Sequence, residues 1–143
     1  MKIFIDTEFN EFGGQLISMA LVAEDGNEFY EVLPCDNPGD WVSKHVMPIL
    51  NKEPISQHVF NIRLVNFLDQ YDTIELYADW PDDIKYFCQA VITGPGEMIN
   101  LPYFTCTVDR KLSARDSKIP HNALEDARAI YESYLEKIIN AKK

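Results

Sequence analysis

Apolar positions in the first quarter of the chain occur in short runs typical of β-strands. Residues 3–5 form one apolar run, residues 16–23 form a second, and residues 28–33 are predicted to form a third strand. An Asp25-Gly26 pair lies between the second and third runs, and such a pair is a strong local signal for a tight hairpin turn. The chain is therefore predicted to open with three antiparallel strands.

The rest of the chain is predicted to alternate between helices and two further strands. Apolar residues recur at helical spacing in four segments, and Pro48 should end or bend the first of these helices. Gly94-Pro95-Gly96 should end the third helix. The predicted helices span roughly residues 41–50, 61–69, 81–93 and 122–139, and the predicted strands span 73–78 and 103–108. This order predicts an α/β protein with one mixed sheet and helices packed on it.

Length and composition favour a single domain. The chain has 143 residues, of which 46% are hydrophobic, so it can bury one sizeable core and residues 1–143 are expected to form one domain. The apolar N-terminal run reaches Asp6 too soon to be a secretory signal or a membrane span. The three cysteines form no CxxC pair, which argues against a disulfide framework and a structural zinc site. We therefore expect a cytoplasmic protein with no membrane partner.

The net charge narrows the ways in which the chain can bind nucleic acid. Its formal charge of −10 has the wrong sign for a protein that holds phosphates along a basic face. If nucleic acid is the substrate, bound cations must supply the missing positive charge.

Asp6 and Glu8 form the first candidate metal site. Side chains two residues apart in a strand lie on the same face, so both carboxylates should project from the end of the first strand. Two carboxylates about 4 Å apart repel by roughly 4 kcal/mol at an effective dielectric of about 20. A divalent cation turns that repulsion into a binding site. An isolated Asp-x-Glu is nevertheless more often a strand that simply leaves the core.

A second acidic cluster lies where the fourth strand meets the following helix. Asp79, Asp82 and Asp83 crowd this junction, and α/β sheets commonly place their sites at the carboxyl ends of strands. Asp82 and Asp83 also fall in the first helical turn after Pro81, where acids favour the positive end of the helix dipole. Helix capping and function compete as explanations.

His121 and Asp126 lie at the start of the last predicted helix. Asp126 lies about 120° from the centre of the apolar stripe, at about 100° per residue, which is the rim of the buried face. Considered alone, Asp126 is predicted to be a solvated surface acid and His121 a polar residue at the helix start.

The three acidic motifs together resemble the DEDD exonuclease superfamily. That superfamily carries Asp-x-Glu on the first strand, an Asp after a later strand, and His-x-x-x-x-Asp on the last helix, which His121 and Asp126 match in the manner of the DEDDh branch. The chain also resembles the short mycobacterial-type 3′-5′ exoribonuclease family over most of its length. That likeness rests on ISMALVAEDGNEFYEV (17–32), WVSKHVMPIL (41–50) and Cys88-Gln89. The resemblance implies an RNase H-like mixed five-stranded sheet flanked by helices.

The resemblance also implies a two-metal phosphodiesterase site. Two divalent cations, Mg²⁺ or Mn²⁺, would be held by Asp6, Glu8, Asp83 and Asp126. His121 would take the proton of the attacking water. Three residues beside the acids are candidates to contact the terminal nucleotide: Thr7, Phe9 and Trp80. Ordinary packing is the alternative explanation for the rings of Phe9 and Trp80. The substrate would be an RNA 3′ end, the product a nucleoside 5′-monophosphate, and the family suggests a homodimer.

The second motif departs from the family pattern. Many relatives carry Asn-x-x-Phe-Asp there, whereas this chain has Asp79 at the Asn position and Asp82 at the Phe position, which leaves Asp83 in the catalytic position. Asp82 and Asp79 remain alternatives. Two other functions also remain open: a DNA-directed 3′-5′ exonuclease, because nothing in the motifs reads the sugar, and a non-catalytic nucleotide- or nucleic-acid-binding domain of the same fold.

Overall fold

The computed structural model describes residues 1–142, and their centre is a mixed five-stranded sheet. Its strands are β1 (Lys2–Phe9), β2 (Leu16–Ala23), β3 (Glu28–Val32), β4 (Thr73–Ala78) and β7 (Tyr103–Val108), and two short strands, β5 (Ile92–Gly94) and β6 (Glu97–Met98), lie outside it. The five strands lie in the order β3-β2-β1-β4-β7. β1 pairs antiparallel with β2 and β2 with β3, whereas β4 runs parallel to both β1 and β7. A mixed sheet flanked by helices confirms the predicted α/β class and is consistent with an RNase H-like fold.

The helices differ from the predicted ones mainly at their ends. They are α1 (Asp40–His45), α2 (Gln57–Leu68), α3 (Pro81–Val91) and α4 (Ala123–Ala141), with a 3₁₀ turn at Met47–Ile49. Pro48 ends the first helix as predicted, because the chain continues past it only as that 3₁₀ turn. α2 begins four residues before the predicted start, since Ser56 caps it by accepting the Val59 N–H at 3.2 Å.

One small element was not predicted. α3 ends at Val91, and the chain turns into a two-stranded hairpin, β5 (Ile92–Gly94) and β6 (Glu97–Met98), instead of continuing as a helix to residue 93. Gly96 has φ of +68°, so it provides the left-handed turn residue that this hairpin requires.

The two faces of the sheet are covered by different helices. Alternate residues of β1 point to opposite faces, so Ile3 and Ile5 pack with α2 and α3 while Phe4 packs with α4. The α4 side is built from small residues, with Ala20 of β2 against Ala123 and Ala127. This close packing brings the start of α4 to the face that carries Asp6 and Glu8. Within residues 1–142, no helix is both long and apolar enough to cross a membrane.

Candidate active site

The site lies where β1 extends past the end of its neighbour β4. β4 pairs with β1 only along Lys2, Ile3 and Phe4, and β4 ends at Ala78. The second half of β1 therefore has a strand partner only on the β2 side. The gap on the other side is filled by the chain that leaves β4 and begins α3, which brings the second acidic cluster next to the first.

Asp83 fills that gap with two hydrogen bonds from Thr7. Its Oδ1 accepts the Thr7 N–H at 3.0 Å and the Thr7 hydroxyl at 2.6 Å. Both side chains are buried, as is Phe87 one turn further along α3. Thr7, which was predicted to contact substrate, thus uses both of its hydrogen-bond donors to hold Asp83.

Asp126 reaches the same site from α4, and it is buried with 7% of its surface exposed. The expectation of a solvated acid from helix periodicity alone is therefore wrong. Asn122 caps α4 by accepting the Glu125 N–H at 3.1 Å, and Asp126 Oδ2 accepts the His121 N–H at 3.2 Å. The rim position faces the end of β1 rather than water, because α4 crosses the sheet at that point.

The carboxylates converge in two groups that share Asp6. Oxygen atoms of Asp6, Glu8 and Asp126 lie within 4.8 Å of one another, and so do oxygen atoms of Asp6, Asp79 and Asp83. Within residues 1–142, Asp6 Oδ2 and Asp126 Oδ1 are buried without a hydrogen-bond partner. Buried carboxylate oxygens normally have a partner, so these two are free to bind a ligand. Hard oxygen donors in this number fit a divalent cation such as Mg²⁺ or Mn²⁺.

Burial and mutual repulsion raise the pKa values of these carboxyl groups. The pKa of Asp6 is raised well above its ordinary value, first by burial and then by the charges of Asp83, Glu8 and Asp126. Burial, with Asp126 and Asp83, raises the pKa of Glu8 to about 9. Burial also raises the pKa of Asp83 to about 7, although the Thr7 hydroxyl opposes the shift. Without a cation, the site therefore retains protons that ordinary carboxylates would release.

His121 lies at the edge of the carboxylate cluster in a strained backbone conformation. Its φ is +74°, a left-handed value that a non-glycine residue rarely adopts and that occurs mainly where the surrounding structure enforces it. The hydrogen bond from its N–H to Asp126 holds this conformation, and its ring is exposed. It packs against the Trp41 ring system in a T-shaped arrangement, with the ring centroids 5.0 Å apart.

Aromatic side chains surround a cavity of about 280 Å³ beside Glu8. Phe9, Phe12, Trp41 and Glu8 contribute to its lining. Phe12 is almost fully exposed and Trp41 is half exposed, although large apolar side chains are usually buried. Exposed aromatic rings of this kind can stack on bases.

Trp80 lies on the other side of the cluster. The Arg110 guanidinium lies over its ring at 4.4 Å, and Arg110 also donates a hydrogen bond to the Asp79 carbonyl oxygen at 3.1 Å. The indole N–H bonds to Asp82 at 3.1 Å. Asp82 therefore points to Trp80, whereas Asp83 and Asp79, the predicted third carboxylate and one of its two alternatives, both lie in the cluster.

Trp41 was missed as a candidate site residue. In the sequence it is one member of the apolar pattern of residues 41–50, so its spacing gives no reason to separate it from a core residue. Only the approach of α1 to the loop before α4 brings it to His121. The position of Arg110 beside Asp79 comes from the parallel pairing of β4 with β7, which no local pattern in the sequence indicates.

Comparison with known proteins adds a relationship that covers nearly the whole chain. No protein-family model matches it. Two proteins of Mycobacterium tuberculosis, one from strain CDC 1551 and one from strain H37Rv, are each 36% identical to it over 149 aligned residues. The alignment covers 90% of this chain and 88% of each relative. Both relatives are named 3′-5′ exoribonucleases.

Proposed function

The chain belongs to the mycobacterial-type 3′-5′ exoribonuclease family, and on that premise we propose that it removes nucleotides from RNA 3′ ends as nucleoside 5′-monophosphates. The single observation that supports this activity most strongly is the convergence of Asp6, Glu8, Asp83 and Asp126, with His121 beside them. This is the arrangement expected of a DEDDh exonuclease, and RNA is preferred because the relatives are named for acting on it.

Two divalent cations, Mg²⁺ or Mn²⁺, fit the donor set. Asp6, Glu8 and Asp126 would hold one, and Asp6, Asp79 and Asp83 would hold the other. When bound, they supply Lewis acidity: they favour ionisation of the attacking water and stabilise charge on the leaving 3′ oxygen. They also supply the positive charge that a chain of net charge −10 lacks for docking a phosphodiester.

The protein side chains then orient the substrate and move one proton. The exposed His121 ring accepts the proton of the attacking water, since an imidazole is suited to this task near neutral pH. Asp126 holds His121 through its backbone N–H, and Trp41 limits where the ring can swing. Thr7 keeps Asp83 turned toward Asp6.

The terminal base is held by stacking in this scheme. Phe9 and Trp41 line the cavity next to Glu8, so a base there would lie beside the carboxylates that hold its phosphate. Trp80, with Arg110 on its ring, lies on the opposite side, where a guanidinium could contact a phosphate.

The decisive experiment uses 5′-labelled single-stranded RNA and a duplex with a 3′ overhang, incubated with Mg²⁺ or Mn²⁺. We expect a ladder shortening from the 3′ end, loss of this activity in Asp126→Asn, and full activity in the matched control Asp72→Asn, an exposed loop acid. Equal shortening by the wild type and Asp126→Asn would exclude the proposed site. No shortening with any metal would favour a non-catalytic binding domain, and faster shortening of the same sequence as DNA would assign the sugar preference to DNA.

A further inference from the structure

A second cavity, of about 420 Å³, lies beyond the aromatic residues of the candidate active site. Its volume falls in the range of roughly 300–1,000 Å³ that is typical of small-ligand sites. The side chains that give it its character are four carboxamides and one phenol: Gln15, Gln57, Asn61, Gln89 and Tyr86. We refer to it as the amide cavity.

The lining of the amide cavity carries no ionised group. None of its residues is acidic or basic, and burial and the nearby Asp82 raise the pKa of Tyr86, so the phenol stays protonated. A phosphate would lack a cation here, and a metal ion would lack a carboxylate. A neutral polar cavity of this kind suits a neutral ligand that offers both hydrogen-bond donors and acceptors.

Two of the carboxamides, Gln57 and Asn61, are arranged to form hydrogen bonds with such a ligand. The Gln57 amide nitrogen donates to Asn61 Oδ1 at 2.9 Å, which fixes the orientation of both groups on adjacent turns of α2. This bond leaves the Gln57 carbonyl as an acceptor and the Asn61 amide as a donor. An acceptor and a donor side by side match the edge of a nucleobase, in the same way that the acceptor and donor of a single Asn or Gln amide make two hydrogen bonds to adenine.

An aromatic stack connects the amide cavity to the active site. Phe9 lines the cavity beside Glu8, and its ring stacks on Tyr86 with centroids 4.5 Å apart and an interplanar angle of 22°. Tyr86 is fixed because its hydroxyl donates to the Gly14 carbonyl oxygen at 2.5 Å. Gln89 lies six residues after Asp83 on α3, or about 9 Å along the helix at 1.5 Å per residue.

We propose that the amide cavity binds a nucleobase on the 5′ side of the terminal nucleotide, one or two positions before the bond that is cut. This inference rests on the proposed function, because it takes the substrate to be a single strand whose 3′ end lies at the carboxylates. Phe9 separates the terminal base from the base in the amide cavity. The enzyme therefore binds more than one nucleotide of the strand. It binds a strand that has a base at this position more tightly than a strand that lacks this base.

The test uses 5′-fluorescein RNA heptamers, each with a single abasic ribose at the second, third or fourth position from the 3′ end. Removal of the intact terminal nucleotide is measured in Mg²⁺ for the wild type, Asn61→Ala and Gln89→Ala. The matched control is Asn66→Ala, which lies on α2 outside the amide cavity. Binding of the same heptamers is measured by anisotropy in Ca²⁺, and melting curves check that each variant is folded.

We expect one abasic position to raise KM for the wild type and Asn66→Ala by about 5- to 100-fold, the range of a single base contact, with kcat little changed. Asn61→Ala and Gln89→Ala should raise KM for the intact RNA and lose sensitivity to that abasic position, because base and side chain act together. Equal sensitivity in these variants and the wild type, or none at any position, would overturn the amide-cavity site.

Failure of the proposed function gives a different result. If no heptamer is shortened, that function is wrong, and the anisotropy measurements alone decide whether the amide cavity binds a base: the abasic penalty in Kd must appear in the wild type and disappear in Asn61→Ala.

Discussion

Replacing Asp83 with asparagine should stabilise the metal-free protein above neutral pH, although it removes a residue of the candidate active site. Asp83 is buried, and its carboxylate lies within 4.8 Å of carboxylate oxygens of Asp6 and Asp79. Asparagine keeps the Oδ1 that accepts both hydrogen bonds from Thr7. Its amide nitrogen could donate to the unpaired Asp6 Oδ2. The substitution therefore removes a buried charge and leaves the local hydrogen bonds intact.

The pKa of Asp83 gives the size of this effect. The pKa of Asp83 rises from 3.8 to about 7, and three pKa units correspond to about 4 kcal/mol. Loss of a favourable charge in the first turn of α3 costs about 0.3–1 kcal/mol in the opposite direction. The burial and repulsion terms are larger, so a net gain of about 2–4 kcal/mol is expected.

The assay is thermal unfolding in EDTA at several pH values. Because the folded pKa of Asp83 lies above the unfolded value, the unfolded chain binds fewer protons, and wild-type stability falls as pH rises from about 4 through about 7. The advantage of Asp83→Asn should thus be absent near pH 4 and complete at pH 8. There it should raise the melting temperature by about 5–15 °C, at roughly 2–4 °C per kcal/mol for a chain of this length.

The exposed Asp72→Asn is the control, and its unfolding free energy should change by less than about 0.5 kcal/mol. If the melting temperature of Asp83→Asn at pH 8 in EDTA is at or below that of the wild type, the reasoning is refuted. That result would mean that the ionised Asp83 carboxylate does not destabilise the folded protein. Adding Mg²⁺ should reverse the order of the two melting temperatures, because only the wild type keeps both sets of carboxylates that could bind the cation.

Three further predictions follow from the same contacts. Mn²⁺ affinity, measured by calorimetry, should rise from pH 6 to pH 9, since the cation must displace protons from Asp83 and Glu8, whose pKa values are about 7 and about 9; a constant affinity would contradict convergence. Trp41→Ala should raise KM for RNA about 10-fold, and Trp41→Phe should restore most of it if stacking is the reason. Asn122→Ala should lower the unfolding free energy in urea by about 1–3 kcal/mol, because Asn122 caps α4 and donates to the Ile49 carbonyl oxygen at 2.9 Å; an unchanged midpoint would contradict this.

The strand pattern was predictable because it depends on short apolar runs and turn chemistry, which are local features of the sequence. The hairpin between β2 and β3 forms as the Asp25-Gly26 pair predicts, and all five strands of the sheet were found. The β5–β6 hairpin was missed because its three-residue and two-residue strands are too short for any periodicity to show. The prediction of one domain over residues 1–143 stays a prediction.

The candidate site could be proposed from the sequence only through the joint pattern of its motifs. Neither the Asp6 and Glu8 pair nor the sequence around Asp126 was informative alone, since each fits an ordinary surface acid. The sequence also left three candidates for the third carboxylate. The structure turns Asp82 toward Trp80 and brings Asp83 and Asp79 to Asp6.

The sequence by itself determined the element types, the mixed sheet and the acids that could form a site, because these depend on residue spacing and local propensity. Only the tertiary structure decided which acids are buried and how close together they lie. β4 ends alongside the first half of β1, and α4 packs closely on the sheet through Ala20, Ala123 and Ala127. Those two features depend on side chains far apart in the chain. Together they gather the carboxylates of the candidate active site.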